Sequence, residues 1–168
     1  MNPVIRQETP ADAAAIHDVT VAAFLNAAHA DHTEQFIVAA LRKAGALAIS
    51  LVAELDGEVA GHVALSPVSL SDGATGWYGL GPISVRPALQ GQGIGSQLMQ
   101  AAIERLRERG AAGCVLAGDP AFYTRFGFKP EPGLSLPGVP AEYFLALAFG
   151  PSLPQGVVTF HEAFGATG

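Results

Sequence analysis

Residues 90 to 96 read Gln-Gly-Gln-Gly-Ile-Gly-Ser, and this stretch joins a strand-like run to a helix-like one. Upstream, Trp77 to Arg86 is short and apolar and follows the polar turn Ser71 to Gly76. Downstream, Ile94, Leu98, Ala102 and Leu106 recur at steps of four, and Arg107, Arg109 and Gly110 supply the stop signals of a helix. A strand that passes through glycines directly into a helix points to an α/β fold. Helix amino termini leave N–H groups without backbone partners, and the helix dipole favours an anion there. Glycines let the backbone approach phosphate oxygens and turn successive N–H groups inward, so the loop reads as a diphosphate site.

The kind of diphosphate is narrowed by spacing. The dinucleotide pattern GxGxxG fails because Ser96 stands where its third glycine belongs, and no Gly-Lys-Ser/Thr follows to make a P-loop. What remains is QxxGxG, Gln90 to Gly95, behind a strand whose Ile83, Ser84 and Val85 can offer backbone partners. The plain alternative is that the glycines only end a strand and begin a helix.

The rest of the chain fills in one α/β domain, residues 1–168, with 49% apolar residues for its core. Thr9-Pro10-Ala11-Asp12 has the form of a helix start with a capping box, and a second helix is predicted from about Thr33 to Ala44, with Asn26 to Asp31 as a loop between. Asp56-Gly57 between the runs Leu47–Leu55 and Glu58–Leu70 predicts a hairpin, to which Trp77–Arg86 adds a third antiparallel strand. Ala112–Ala117 reads as a buried strand, Pro120–Phe126 as a short helix, and the runs Tyr143–Phe149 and Val157–Phe160 as a final hairpin. No apolar stretch is long enough to span a membrane and no signal sequence is evident, so a cytoplasmic protein is expected. The net charge of −6 argues against a nucleic-acid partner, and a single cysteine, Cys114, excludes an internal disulfide; no metal constellation is evident.

QxxGxG at Gln90–Gly95 resembles the acetyl-coenzyme A loop of the GNAT superfamily of N-acetyltransferases, and the run Asp119 to Phe128 resembles that superfamily's short helix with a tyrosine before a Gly-Phe pair. Gly61 to Val68, Gly-His-Val-Ala-Leu-Ser-Pro-Val, is similar to a strand of small bacterial members. The resemblance implies a mixed central sheet whose strands splay around an acyl-coenzyme A cleft and are flanked by helices, with Gly81-Pro82 as the bulge that opens it. It implies that Ile83, Ser84 and Val85 meet the pantetheine, that Gln90, Gly91, Gln92, Gly93, Ile94, Gly95 and Ser96 surround the pyrophosphate, and that Tyr123 faces the coenzyme A sulfur. The activity implied is direct transfer of an acetyl group from acetyl-coenzyme A to a primary amine of a small molecule or protein, with no metal; a homodimer is also compatible with the family. The alternative is a coenzyme A-binding domain of weak catalysis that serves as a sensor or interaction module.

A base for the amine is harder to read. His62, in the middle of a strand, is the candidate catalytic base, against the reading of a histidine satisfied on a sheet face. His29, His32 and Glu34 lie near the loop that borders the acceptor in the superfamily; Glu54, His161 and Glu162 are weaker candidates, and Cys114 reads as core.

Overall fold

The computed structural model describes residues 2–27 and 30–168. The expected loop between the first two helices is therefore described only in part, and His29 lies outside the described residues. The chain opens with a strand, Val4–Gln7 (β1), that the sequence pattern does not announce, because four residues of mixed polarity carry no period-two signal. A 3-10 turn at Pro10–Asp12 leads into Ala13–Phe24 (α1), and Glu34–Lys43 (α2) follows. Ile49–Leu55 (β2) and Glu58–Pro67 (β3) form the predicted hairpin, and β1 pairs antiparallel with the outer edge of β2.

Past Pro67 the long apolar run breaks. Ser69–Leu70 (β4) leaves the main sheet, while Trp77–Val85 (β5) returns antiparallel beside β3. Ile94–Glu108 (α3) buries Ile94, Leu98, Met99, Ala102 and Leu106 against the sheet, and Gly113–Ala117 (β6) then runs parallel to β5. Pro120–Tyr123 (α4) is a single turn, extended by a 3-10 turn through Phe126. Lys129–Pro130 (β7), Leu134–Ser135 (β8), Phe144–Ala148 (β9) and Gly156–Thr159 (β10) complete the chain.

The seven-stranded sheet has the order β1-β2-β3-β5-β6-β9-β7, with α3 on one face and α1 and α2 on the other. The final hairpin expected from the sequence does not form. β9 pairs with β6 and β7, while β10 joins β4 and β8 in a separate three-stranded sheet. Alternating apolar residues specify a strand but not its partner, and the Gly- and Pro-rich residues 150–156 carry the chain away instead of turning it back.

The entry to α1 is clamped to the sheet edge. Asp12 accepts the Thr9 N–H at 2.7 Å, as the capping box predicts, and also takes both Arg6 Nη groups at 2.7 and 3.0 Å. Arg6 reaches on to Glu54 Oε1 at 3.0 Å, so β1, β2 and the helix start share one cation. The Arg6 guanidinium holds the Asp12 carboxyl well below the usual carboxylate range despite its burial. A group depressed in this way stabilises the fold fully above its unfolded value of about 4 and loses that contribution as pH falls toward its folded value. Asp12→Ala should therefore cost about 1–3 kcal/mol at pH 7 in urea unfolding, and the gap to the wild type should narrow by about 1 kcal/mol at pH 3. An equal gap at both pH values would refute the ionic origin.

Candidate active site

The site begins with an interruption in strand pairing. On β3, Val63 stands opposite Ile83 and Leu65 opposite Leu80, so Gly81 and Pro82 together occupy the place opposite Ala64. This is the bulge that Gly81-Pro82 predicts; proline has no N–H to give the ladder there. On its other side β5 pairs with β6 only from Trp77 opposite Gly113 to Gly79 opposite Val115, and then the two strands part. Arg86 N–H donates to Ala60 O toward β3. By the two-residue alternation of a strand, Ser84 turns its backbone toward β3 as well, while the backbone groups of Ile83 and Val85 face the gap.

That gap opens into a cleft of about 660 Å³, within the range of ligand sites. Ile83 and Val85 form its floor, and Ala23, Phe24 and Ala27 at the end of α1 border it. Gln90, Gly91, Gly93, Ile94, Gly95 and Ser96 form one wall. Gly91 and Gly93 have φ of 78° and 89°, torsions that side-chain-bearing residues resist, and Gly93 caps α3 in that conformation. Gln97 N–H is bonded back to Gly93 O, so the N–H groups of Ile94, Gly95 and Ser96 precede the helix ladder and are left for another acceptor. Gln90 turns inward to hold the strand end, donating through Nε2 to Val85 O at 3.1 Å. Of the residues the sequence assigned to the cofactor, Gln92 is not in the wall, and Ser84 has its side chain buried behind the floor.

The opposite wall comes from α4. Asp119 caps it by accepting Ala121 N–H at 2.9 Å, and the turn delivers Phe122, Tyr123 and Arg125 to the cleft. Tyr123 packs edge-on against Phe122 with ring centroids 4.9 Å apart, and its other side fits against Gly118. Burial, reinforced by the charge of Asp119, raises the Tyr123 phenol above its ordinary value, so it keeps its proton through neutral pH. Arg125 lines the cleft and is not among the residues that the sequence singled out. Its guanidinium lies 5.0 Å from the Phe122 ring centroid and 5.4 Å from that of Phe126, and it donates to Ser96 Oγ at 2.7 Å. Only its position two residues beyond Tyr123 could have drawn attention to it.

The expectation that His62 reaches the cleft is not met. Its side chain is fully buried on the face under α1 and α2, where Ser50 Oγ lies 2.8 Å from Nε2. Ser50 gives its own proton to Glu8, which also takes two 2.9 Å bonds from Arg42, so His62 Nε2 must be the donor to Ser50. Burial lowers the His62 pKa to about 4, so the ring is neutral, and it forms the inner end of a structural chain. The other candidates are occupied elsewhere. Glu54 is bonded to Arg6, His161 Nδ1 accepts Ala163 N–H, Glu34 accepts Asp31 N–H, and His32 is exposed; none of them lines the cleft. Burial pushes the Cys114 thiol up, away from reactivity. Among the described residues no cluster of His, Cys, Asp or Glu could hold a metal ion, and no helix is long and apolar enough to cross a membrane.

A parted pair of parallel strands, a glycine-capped helix and a tyrosine on the facing wall thus enclose one cleft. A family model described as the acetyltransferase (GNAT) family matches residues 13–128, about two thirds of the chain. The uncharacterized N-acetyltransferase YhbS of Escherichia coli K12 is 35% identical over 168 residues, covering 96% of this chain and 98% of that protein. The crystal structure of a GNAT family acetyltransferase from Brucella melitensis in complex with acetyl-CoA is 52% identical, covers 97% of this chain and 98% of that one, and superimposes with a TM-score of 0.87. That of E. coli YhbS in complex with CoA gives a TM-score of 0.89 at 33% identity, over 100% of this chain and 94% of that one. The chain belongs to the GNAT family of acetyl-CoA-dependent N-acetyltransferases.

Gly118 offers a test of the wall's geometry. A methyl group there would overlap the Tyr123 ring. Gly118→Ala should displace the phenol and lower turnover about tenfold or more while coenzyme A affinity stays within about twofold of the wild type. Unimpaired turnover would mean that the ring position does not matter.

Proposed function

We propose that the protein transfers an acetyl group from acetyl-CoA directly to a primary amine of a small molecule or protein, within a ternary complex, and that Tyr123 is the acid for the departing sulfur. The reading rests on one observation: the unpartnered N–H groups at the start of α3 and the protonated phenol of Tyr123 face the same cleft, across a floor of unpaired β5 backbone. Relatives of 52% and 33% identity carry acetyl-CoA and CoA in their crystal structures, and the residues here fit the same kind of ligand. Gly95 is where the wall makes room for it. A side chain there would meet only Phe122 and Val85 at ordinary contact distances, so the space it leaves belongs to the cleft.

Bound acetyl-CoA supplies a thioester: the amine nitrogen forms the new C–N bond, the C–S bond breaks, and the sulfur leaves with the electron pair. Ile83, through its backbone groups, and Val85, through its N–H, hold the pantetheine amides, and Gly91 and Gly93 to Ser96 receive the pyrophosphate. Tyr123 gives its proton to the sulfur and is reprotonated from solvent, which also takes up the proton that the nitrogen releases as the amide forms.

Among the described residues no carboxylate or imidazole lines the cleft, and in this reading the amine's own proton goes to water before attack. The rate constant kcat/KM should then rise with pH toward the amine's own ionisation, about pH 10 for a lysine-like substrate. A plateau setting in at about pH 6 to 8 would instead reveal an enzymic base.

Tyr123→Phe keeps the ring and its packing but removes the proton donor. General acid catalysis contributes about 10² to 10⁴-fold, so the acetyl-transfer step, followed in a single turnover, should slow by that factor with little change in acetyl-CoA affinity. Transfer at the wild-type rate would remove Tyr123 from the chemistry.

A further inference from the structure

His62 and Ser84 each bury a polar atom that no other residue satisfies. They are 0% and 2% exposed, and neither His62 Nδ1 nor Ser84 Oγ has a hydrogen-bond partner among the described residues. Buried polar groups left in that state are costly, and in folded proteins they are nearly always paired with protein or with ordered water. These two stand opposite each other in the pairing of β3 with β5. Their chemistry is complementary. Ser50 spends its proton on Glu8, so His62 Nε2 carries the single hydrogen of the neutral ring and Nδ1 keeps an open lone pair. The Ser84 hydroxyl can both give and accept.

The sheet order fixes where each atom looks. β3 lies between β2 and β5, and Nε2 is committed to Ser50 on β2. The two nitrogens of an imidazole point in well-separated directions, so Nδ1 is turned away from β2. Side chains directly opposite in a sheet have Cβ atoms about 5 Å apart, within the span of one molecule hydrogen-bonded to both. A buried water needs about two to four polar partners, and this pair supplies two. Ser66, another buried hydroxyl of β3 without a partner, is four residues further along the strand, or about 13 Å, too far to share in the contact.

We infer that a single internal water molecule is bound between His62 and Ser84, giving one hydrogen to His62 Nδ1 and bonding to the Ser84 hydroxyl, and that the two side chains are thereby positioning residues for the cleft floor. The water completes a polar chain that begins at Arg42 on α2 and passes through Glu8, Ser50 and His62 before it reaches β5. Ser84 stands between Ile83 and Val85, so its tether holds the strand that carries them, beyond the point where pairing with β6 has ended. The water site stands on the fold alone, whereas its effect on ligand affinity rests on the placement of coenzyme A proposed above.

A crystal structure of the intact protein at a resolution that shows ordered water should hold one peak within about 3.2 Å of both His62 Nδ1 and Ser84 Oγ. A direct bond between the two side chains, or no density between them, overturns the water site. Ser84→Ala removes one partner and should weaken CoA binding about three- to tenfold. His62→Gln should do the same, and because both act through one water, the double variant should bind CoA no more weakly than the poorer of the two single variants. Losses that multiply in the double variant, or CoA affinity unchanged by Ser84→Ala, overturn the positioning role. Thermal melting establishes that the variants are folded; if His62→Gln is not, Ser84→Thr takes its place and, by restoring a hydroxyl, should recover the affinity that Ser84→Ala loses. Wild-type protein that binds no CoA overturns the cofactor placement and with it the positioning role, while the density alone decides the water site, which separates the two failures.

Discussion

Everything at the site depends on hydrogen bonds that β5 and β6 do not make. Two parallel strands in the middle of a sheet ordinarily pair along their whole length, since an unpaired buried N–H or C=O is costly. Here pairing stops after Gly79 and Val115. The bulge at Gly81-Pro82 bends β5 on its β3 side, and the backbone of Ile83 and Val85 is left facing a gap instead of a neighbour. Such an opening persists only because the packing around it is intact: α3 covers one face with Ile94, Leu98 and Met99, and α1 covers the other. The open strand pair makes the cleft, and the helix that caps the next connection places its amino end at the cleft's mouth.

The charged and dipolar groups divide between the cleft and the fold. The chain is acidic, with a net charge of −6. Among the described residues that line the cleft, the groups able to attract an anion are the oriented backbone dipoles at the start of α3 and Arg125. The other ionic groups serve the fold. Arg6, Asp12 and Glu54 fasten β1 and α1 to β2, and Arg42, Glu8, Ser50 and His62 run from α2 into the sheet as one hydrogen-bonded chain. In that chain the histidine is neutral and its Nε2 already engaged, which explains why a residue type so often used for proton transfer is used here for architecture.

Local features were legible in the sequence and distant pairings were not. Asp56-Gly57, the glycine loop from Gly91 to Gly95 and the four-residue period of α3 each act through near neighbours and could be placed from residue chemistry alone, whereas the Gly81-Pro82 bulge was placed through the resemblance. β1 escaped because four residues at a sheet edge carry no periodicity, and the final strands were mispaired because their apolar pattern says nothing about which edge they join. Tyr123 stood out through its resemblance to a motif. Arg125 did not, since its meaning comes from Ser96, 29 positions away in the chain and within hydrogen-bond reach in space. His62 failed for the converse reason: alternation along β3 gave it a face of the sheet, but only the packing of α1 and α2 decided that this face is dry.

Among the described residues, the three pairs from Trp77–Gly113 to Gly79–Val115 are the only ladder joining the four strands β1, β2, β3 and β5 to the three strands β6, β9 and β7. Trp77 lies flat over Gly113 at the closed end, where any side chain on Gly113 would collide with the indole. Mechanically the sheet is a pair of tweezers with this junction as its pivot. Leverage grows with distance from a pivot, so a small rotation about Trp77 and Gly113 becomes a larger change of width between Val85 and the far end of β6. The span of the jaws thus depends on a tryptophan and a glycine that do not line the cleft.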